Sequence, residues 1–193
     1  MSNVEYPGHC QVDDLVGRAA AVELLLTDVD GVMTRGEIYA DAAGVPLKLF
    51  NVKDGMGLFL LGRAGIARGV ITGKTSEAVR RRCAELQLEF CRQGVLDKGA
   101  LLEGLLGECG CRAAEYAYIG DDLNDLPLLE RAGLACCPAD AAVDVRRRVH
   151  YVCAAPGGGG VVREVCERVL RAKGLGEGCV EAWRTGFKQE KKQ

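Results

Sequence analysis

Aromatic side chains are scarce, at 5% of 193 residues. A platform for single-stranded nucleic acid stacks successive bases on aromatic faces, so that function is not expected. An excess of one charge is also missing. The 25 Lys and Arg stand against 27 Asp and Glu, a formal net charge of −2. Dedicated nucleic-acid binders are usually strongly basic, so no nucleic-acid partner is expected. No apolar run approaches the roughly 18 residues of a membrane-spanning helix. Residues 1–11 carry no basic patch followed by an apolar stretch, so no secretory leader is expected. Histidine is limited to His9 and His150, far apart, and no C-x-x-C occurs. A zinc site usually needs one or the other.

Cysteine, by contrast, is plentiful, with ten in the chain. Cys109-Gly-Cys111 and Cys136-Cys137 are too cramped for zinc knuckles, and disulfide scaffolds are typically shorter and poorer in core residues. The expectation is reduced thiols that pack as small hydrophobes in a reducing cytoplasm. The chain is 48% hydrophobic and 27% charged, an ordinary globular profile without repeats or an evident linker. One domain over residues 22–173 is expected, with an N-terminal segment 1–21 and a polar, basic tail 174–193.

The run Val22-Glu-Leu-Leu-Leu-Thr-Asp-Val29 is too short for an ordinary helix and predicts a buried strand. Residues 37–41 and 47–51 flank Gly44 and Pro46 and predict a β-hairpin. Residues 54–64 predict a helix ending at Gly65; 67–72 a strand; 76–86 a basic helix; 88–91 a short strand. Apolar residues at 101, 102, 105, 106 and 109 predict a helix over 97–109. Residues 115–120 predict a third strong strand, followed by a short helix with Pro127 near its first turn. Residues 134–137 and 150–153 predict strands. Gly157 to Gly160 predicts a flexible loop before a helix marked by Val161, Val162, Val165, Cys166, Val169 and Leu170. Strand and helix alternate, so the fold expected is α/β with a mainly parallel sheet and helices on both faces.

In such a sheet, ligands bind beyond the carboxyl ends of the strands. The polar residues there are Asp28 and Asp30, then Thr72 and Gly73, then Lys98, then Asp121, Asp122 and Asp125. So many carboxylates in one crevice repel unless a hard cation sits among them, and an all-oxygen set favours Mg²⁺. A hydroxyl at Thr72, backbone N–H groups at Gly73 and a point charge at Lys98 suit a phosphate. Together these suit phosphoryl transfer, with Asp28 as nucleophile and Asp30 as acid and then base.

Asp28-Val-Asp-Gly-Val, Ile71-Thr-Gly73, Lys98 and Gly120-Asp-Asp-x-x-Asp125 resemble, in that order, the haloacid dehalogenase-like phosphatases. Phe50-Asn-Val-Lys-Asp-Gly55, Arg82-Cys83, Gln93-Gly94 and Gly157-Gly-x-Gly160-x-x-Arg-Glu-Val-Cys166 resemble one subgroup, the capless phosphatases of 3-deoxy-D-manno-octulosonate 8-phosphate. A related group acts on the 9-phosphate of ketodeoxynononic acid. The resemblance implies a Rossmann-like three-layer αβα fold with a small protruding hairpin and no cap domain. It implies Mg²⁺ held by Asp28, the Asp30 carbonyl and Asp121, with Asp122 and Asp125 in support. It implies phosphate contacts from Thr72, Gly73 and Lys98. Substrate contacts would fall at Asn51, Lys53, Asp54, Gly55, Lys74 and Arg82. It also implies a homotetramer acting on a small sugar-acid phosphate, with each site completed by a neighbouring subunit.

The chain departs from the subgroup where Lys53, Phe59 and Lys74 stand in place of Arg, and where Gly159 replaces Arg in several members. The nononate group also has an aromatic residue at the Phe59 position, but an acidic one at Lys74. Two other functions remain open from the sequence. One is a non-catalytic tetramerising appendage of the kind found on some cytidylyltransferases. The other is a receiver-type phospho-acceptor, although receivers are shorter and usually carry the acceptor Asp on a later strand.

Overall fold

A computed structural model describes residues 12–44, 46–178 and 181. Six parallel strands form the central sheet: β1 Leu24–Thr27, β4 Ala67–Thr72, β5 Phe90–Gln93, β6 Tyr116–Ile119, β7 Leu134–Cys137 and β8 Tyr151–Val152. Their spatial order is β5-β4-β1-β6-β7-β8. The chain leaves β1 toward one edge and returns to its other side with β6. The switch point therefore lies at β1, with Leu24 paired to both Ala67 and Tyr116. That is where a crevice opens in a doubly wound sheet.

β1 and β6 are buried on both faces, as their continuous apolar runs predict. Leu25, Val70, Ala117 and Ile119 point into one core; Leu24, Leu26, Ile71, Tyr116 and Tyr118 point into the other. Helices α2 Val52–Arg63, α3 Glu77–Glu85 and α7 Val161–Ala172 close the first core. Helices α4 Leu102–Cys109, α5 Leu126–Leu129 and α6 Val143–Arg146 close the second. The result is the three-layer α/β arrangement expected. Fully burying a Leu here contributes about 1.5–3 kcal/mol, so these two layers fix the strand ends that carry the polar residues.

Several details differ from the sequence expectations. Helix α1, Val12–Ala20, lies in a segment with no assigned element; Leu15 and Ala19 join the first core. The third strand of the sheet in chain order, predicted at 88–91, is displaced to Phe90–Gln93, where it pairs with Gly69 to Thr72. The hairpin keeps only two paired residues per strand, β2 Tyr39–Ala40 and β3 Pro46–Leu47. Residues 97–109 begin with a 3₁₀ turn, Gly99–Leu101, before α4 starts. The glycine loop is not loose. Gly158 N–H donates to Val32 O at 2.8 Å, and Gly157 N–H to Asp140 Oδ1 at 2.9 Å. A side chain at Gly157 would meet Gly31 O at 2.0 Å, so only glycine lets these loops touch.

The eight described cysteines are free, and five of them are buried. Cys10, Cys179 and most of the expected tail lie outside the described residues. No described helix is long and apolar enough to cross a membrane.

Candidate active site

Asp28 follows the last residue of β1 and is 5% exposed. Its backbone N–H still bonds across the sheet edge, to Ile119 O at 2.9 Å. Its Oδ1 accepts from Val29 N at 2.7 Å. The chain then turns tightly, with Val29 O accepting from Met33 N at 2.9 Å and Thr34 N at 3.0 Å. Gly31 sits in this turn at φ +87°, and a Cβ there would fall 1.9 Å from Asp121 Oδ2. The turn from β1 and the end of β6 thus touch through a glycine.

Lys98 lies just before the 3₁₀ turn and is fully buried. Its Nζ sits 3.1 Å from Asp28 Oδ2 and 2.7 Å from Asp125 Oδ1. Asp125 is equally buried and is the hub of the site. Its Oδ1 also accepts from Tyr118 OH at 2.7 Å, and its Oδ2 from Asp121 N at 3.0 Å and Asp122 N at 3.4 Å. Asp122 is exposed and caps the short turn at Leu123 N, 2.7 Å away. The sequence pointed to Asp125 as a supporting group; Tyr118, on β6, had no polar signal beyond its hydroxyl.

The charge balance leaves a deficit of cations. Burial pushes the Asp28 carboxyl up to about 6, with Asp125 adding to the rise and Lys98 opposing it. Burial pushes Asp121 up to about 7, followed by repulsion from Asp125, Asp28 and Asp122. Asp121 Oδ1 is buried with no hydrogen-bond partner. Carboxylate oxygens of Asp28, Asp121 and Asp125 approach within 4.8 Å of one another. This donor set fits Mg²⁺, which binds through one or two carboxylates and keeps waters and phosphate oxygens for the rest. Asp28 and Asp121 would hold it. Asp125 has both oxygens committed to four donors, so it orients the site and is not a ligand. When bound, the ion stabilises charge on a transferring phosphoryl group.

Thr72 ends β4 and is buried, with Gly73 beside it. Together with Asp28, Asp30, Gly31, Lys74 and Asp121 they line a cleft of about 320 Å³. Asp30 also borders a cleft of about 420 Å³ with Thr34, Arg35, Lys48 and Asn51, and one of about 140 Å³ with Lys48 and Lys74. Lys48 pairs with Asp30 Oδ1, and no sequence motif marked it.

The other expected substrate contacts are spread more widely. Asn51 caps α2 by accepting from Lys53 N at 2.9 Å and ties the glycine loop through Gly158 O at 3.0 Å. Lys53 is exposed. Asp54 is buried, and its Oδ1 accepts from Arg163 N at 2.9 Å, holding the start of α7; burial pushes its carboxyl up to about 6. Gly55 makes room for Arg82, whose Nη2 lies 2.3 Å from where a Cβ would stand. Arg82 pairs with Glu85 at 2.9 Å, while Arg80 and Arg81 are exposed and pair with Glu77. Asp54, Gly55 and Arg82 therefore meet at the α2–α3–α7 junction.

Known proteins resemble this chain in both sequence and fold. Residues 82–165 match the haloacid dehalogenase-like hydrolase family. The chain is 40% identical over 181 residues to the 3-deoxy-D-manno-octulosonate 8-phosphate phosphatase of Yersinia pestis, covering 92% of this chain and 97% of that protein. The crystal structure of a Yersinia pestis phosphatase of that name superposes with a TM-score of 0.84 at 41% identity, covering 86% and 90% of the two chains. The Moraxella catarrhalis phosphatase, solved with magnesium, phosphate and KDO, superposes with a TM-score of 0.87 at 35% identity, covering 90% and 99%. With its fold, its ordered strand-end residues and relatives that match nearly end to end, the chain belongs to the haloacid dehalogenase-like hydrolases, in the 3-deoxy-D-manno-octulosonate 8-phosphate phosphatase group.

Proposed function

We propose that this chain is a Mg²⁺-dependent phosphatase that hydrolyses 3-deoxy-D-manno-octulosonate 8-phosphate through an aspartyl-phosphate on Asp28. The observation that carries the reading is the meeting of Asp28, Asp30, Thr72, Gly73 and Asp121 at one cleft, with Lys98 Nζ 3.1 Å from Asp28. A carboxylate oxygen of Asp28 attacks phosphorus, and the bond from phosphorus to the sugar oxygen breaks. Asp30 gives its proton to that oxygen. It then takes a proton from water, which attacks phosphorus and frees inorganic phosphate and the Asp28 carboxylate. Thr72, Gly73 and Lys98 hold the phosphoryl oxygens. Lys74 borders both the phosphate cleft and the small hairpin cleft, which suits the acid group of the sugar.

The nine-carbon nononate 9-phosphate is the second reading. It is favoured by Phe59, partly exposed on α2 where the octulosonate enzymes carry Arg. The phosphatase domain is taken as residues 22–173, acting as a homotetramer. Exposed Ile38, Tyr39, Leu47 and Leu49 on and beside the hairpin support the assembly, and free thiols support a reducing cytoplasm. Phosphate release from both sugar acids, with and without Mg²⁺, is the test. Higher kcat/KM on the eight-carbon substrate is expected. Preference for the nine-carbon substrate selects the second reading, and no release from either points to an assembly domain.

A further inference from the structure

The hairpin end carries an inverted burial pattern. Leu47 is 50% exposed and Leu49 is 67% exposed, yet the Lys48 side chain between them is only 12% exposed. Two apolar side chains face water while an ammonium turns inward, which is unfavourable unless the cation has a partner. That partner is Asp30, eighteen residues earlier in the chain, contacted at Oδ1. Thr34 Oγ1 approaches the same oxygen at 3.5 Å. Oδ2 takes neither contact. Asp30 borders all three clefts, and Lys48 borders the two on the hairpin side. The two carboxylates beneath the cleft thus have separate lysines. Lys98 holds Asp28 from the sheet side, and Lys48 holds Asp30 from the hairpin.

We propose that Lys48 is a positioning residue for proton transfer: by fixing Asp30 through Oδ1, it leaves Oδ2 as the oxygen that delivers the proton to the leaving group. Its role rests on the reading of Asp30 as the acid. A carboxylate free to rotate about its side-chain bonds spends most of its time misaimed, and small misplacements of a catalytic group are costly. A hairpin with only two paired residues per strand would then be kept because it delivers Lys48 to Asp30.

The experiment uses full-length wild type, Lys48→Met, Lys48→Arg and Asp30→Asn, each saturated with Mg²⁺. First-turnover leaving-group release is measured by rapid quench on a sugar-alcohol phosphate and on 4-nitrophenyl phosphate. An alkoxide needs a proton as it leaves; 4-nitrophenolate does not. Lys48→Met is expected to slow the sugar phosphate at least tenfold, within the range of about 10²–10⁴ for acid–base assistance. The aryl burst should change less than about twofold, and KM should hold, because the phosphate clamps remain. Lys48→Arg should recover most of the rate. An equal loss on both substrates, a rise in KM at constant kcat, or no loss at all would overturn the role of Lys48. Full alkyl rate in Asp30→Asn would instead overturn the acid assignment itself, so the two failures are distinct.

Discussion

Replacing Asp125 with Asn removes one charge from the hub of the site without changing its shape. The wild-type carboxylate accepts Lys98 Nζ and Tyr118 OH on one oxygen, and the N–H groups of Asp121 and Asp122 on the other. An amide has one accepting end. With its oxygen toward Lys98 and Tyr118, the amide loses both backbone hydrogen bonds; turned the other way, its NH₂ meets the Lys98 ammonium, and only the Tyr118 hydroxyl can reorient to accept from it. Hydrogen bonds to a charged group contribute about 1.5–3 kcal/mol each, and the fully buried Lys98 keeps Asp28 as its one charged partner. Breaking a buried ion pair typically costs about 3–5 kcal/mol. Relief of repulsion on Asp28 and Asp121 offsets part of this, since Asp125 raises both of their carboxyls. The net expectation is about 3 kcal/mol. At about 2–4 °C per kcal/mol for a domain of this size, Tm should fall by roughly 6–12 °C without Mg²⁺. Asp122→Asn, on an exposed side chain, should shift Tm by less than about 2 °C. Thermal denaturation of the metal-free proteins measures both. If Asp125→Asn keeps the wild-type Tm but loses Mg²⁺ affinity, then Asp125 is a metal ligand and the orienting role is wrong.

Metal-free stability should fall as pH rises. Asp28 and Asp121 move from the ordinary 3.8 to about 6 and about 7 in the fold, so the folded state holds extra protons across that window. Their contribution is favourable near pH 4 and is lost by about pH 7, and saturating Mg²⁺ should raise Tm more at pH 7.5 than at pH 5. At 100 times its Kd, the ion should add about 2.7 kcal/mol, read by calorimetry. Gly31→Ala meets both the left-handed backbone and the Asp121 carboxylate; it should abolish Mg²⁺-dependent turnover and lower Tm. Burial pushes Cys137 up to about 12, and raises Cys136, Cys153 and Cys166. An aromatic disulfide reagent should leave these four unmodified in the native protein and react with all ten cysteines in denaturant.

The sheet and the polar strand ends were legible because burial on two faces writes a continuous apolar run, and the chemistry follows where the run stops. Asp28, Thr72 and Asp121 stand where such runs end, in the order of the family they resemble. Helix α1 was not legible: it is nine residues long, and only Leu15 and Ala19 of the described part join the core. The glycine loop reads as flexible in sequence because glycine permits motion. Its actual job is close contact with the Gly31 turn, which depends on a partner 126 residues away in the chain. Lys48 was hidden for a similar reason. A lysine between two leucines reads as an outward polar residue on a strand, and only the hairpin's path turns it toward Asp30. The motif that holds Asn51 and Asp54 implies substrate contact, and their polar atoms also close helix ends and loops.

The most direct test of the central claim is to look for the phosphoryl group on Asp28 during turnover. Wild type mixed with Mg²⁺ and 3-deoxy-D-manno-octulosonate 8-phosphate is quenched in cold acid within the first turnovers, and its peptides are analysed by mass spectrometry. A phosphoryl adduct on the peptide that carries Asp28, absent in Asp28→Asn along with turnover, is the expected result. Sustained phosphate release with no adduct, or an adduct on another side chain, would contradict Asp28 as the nucleophile.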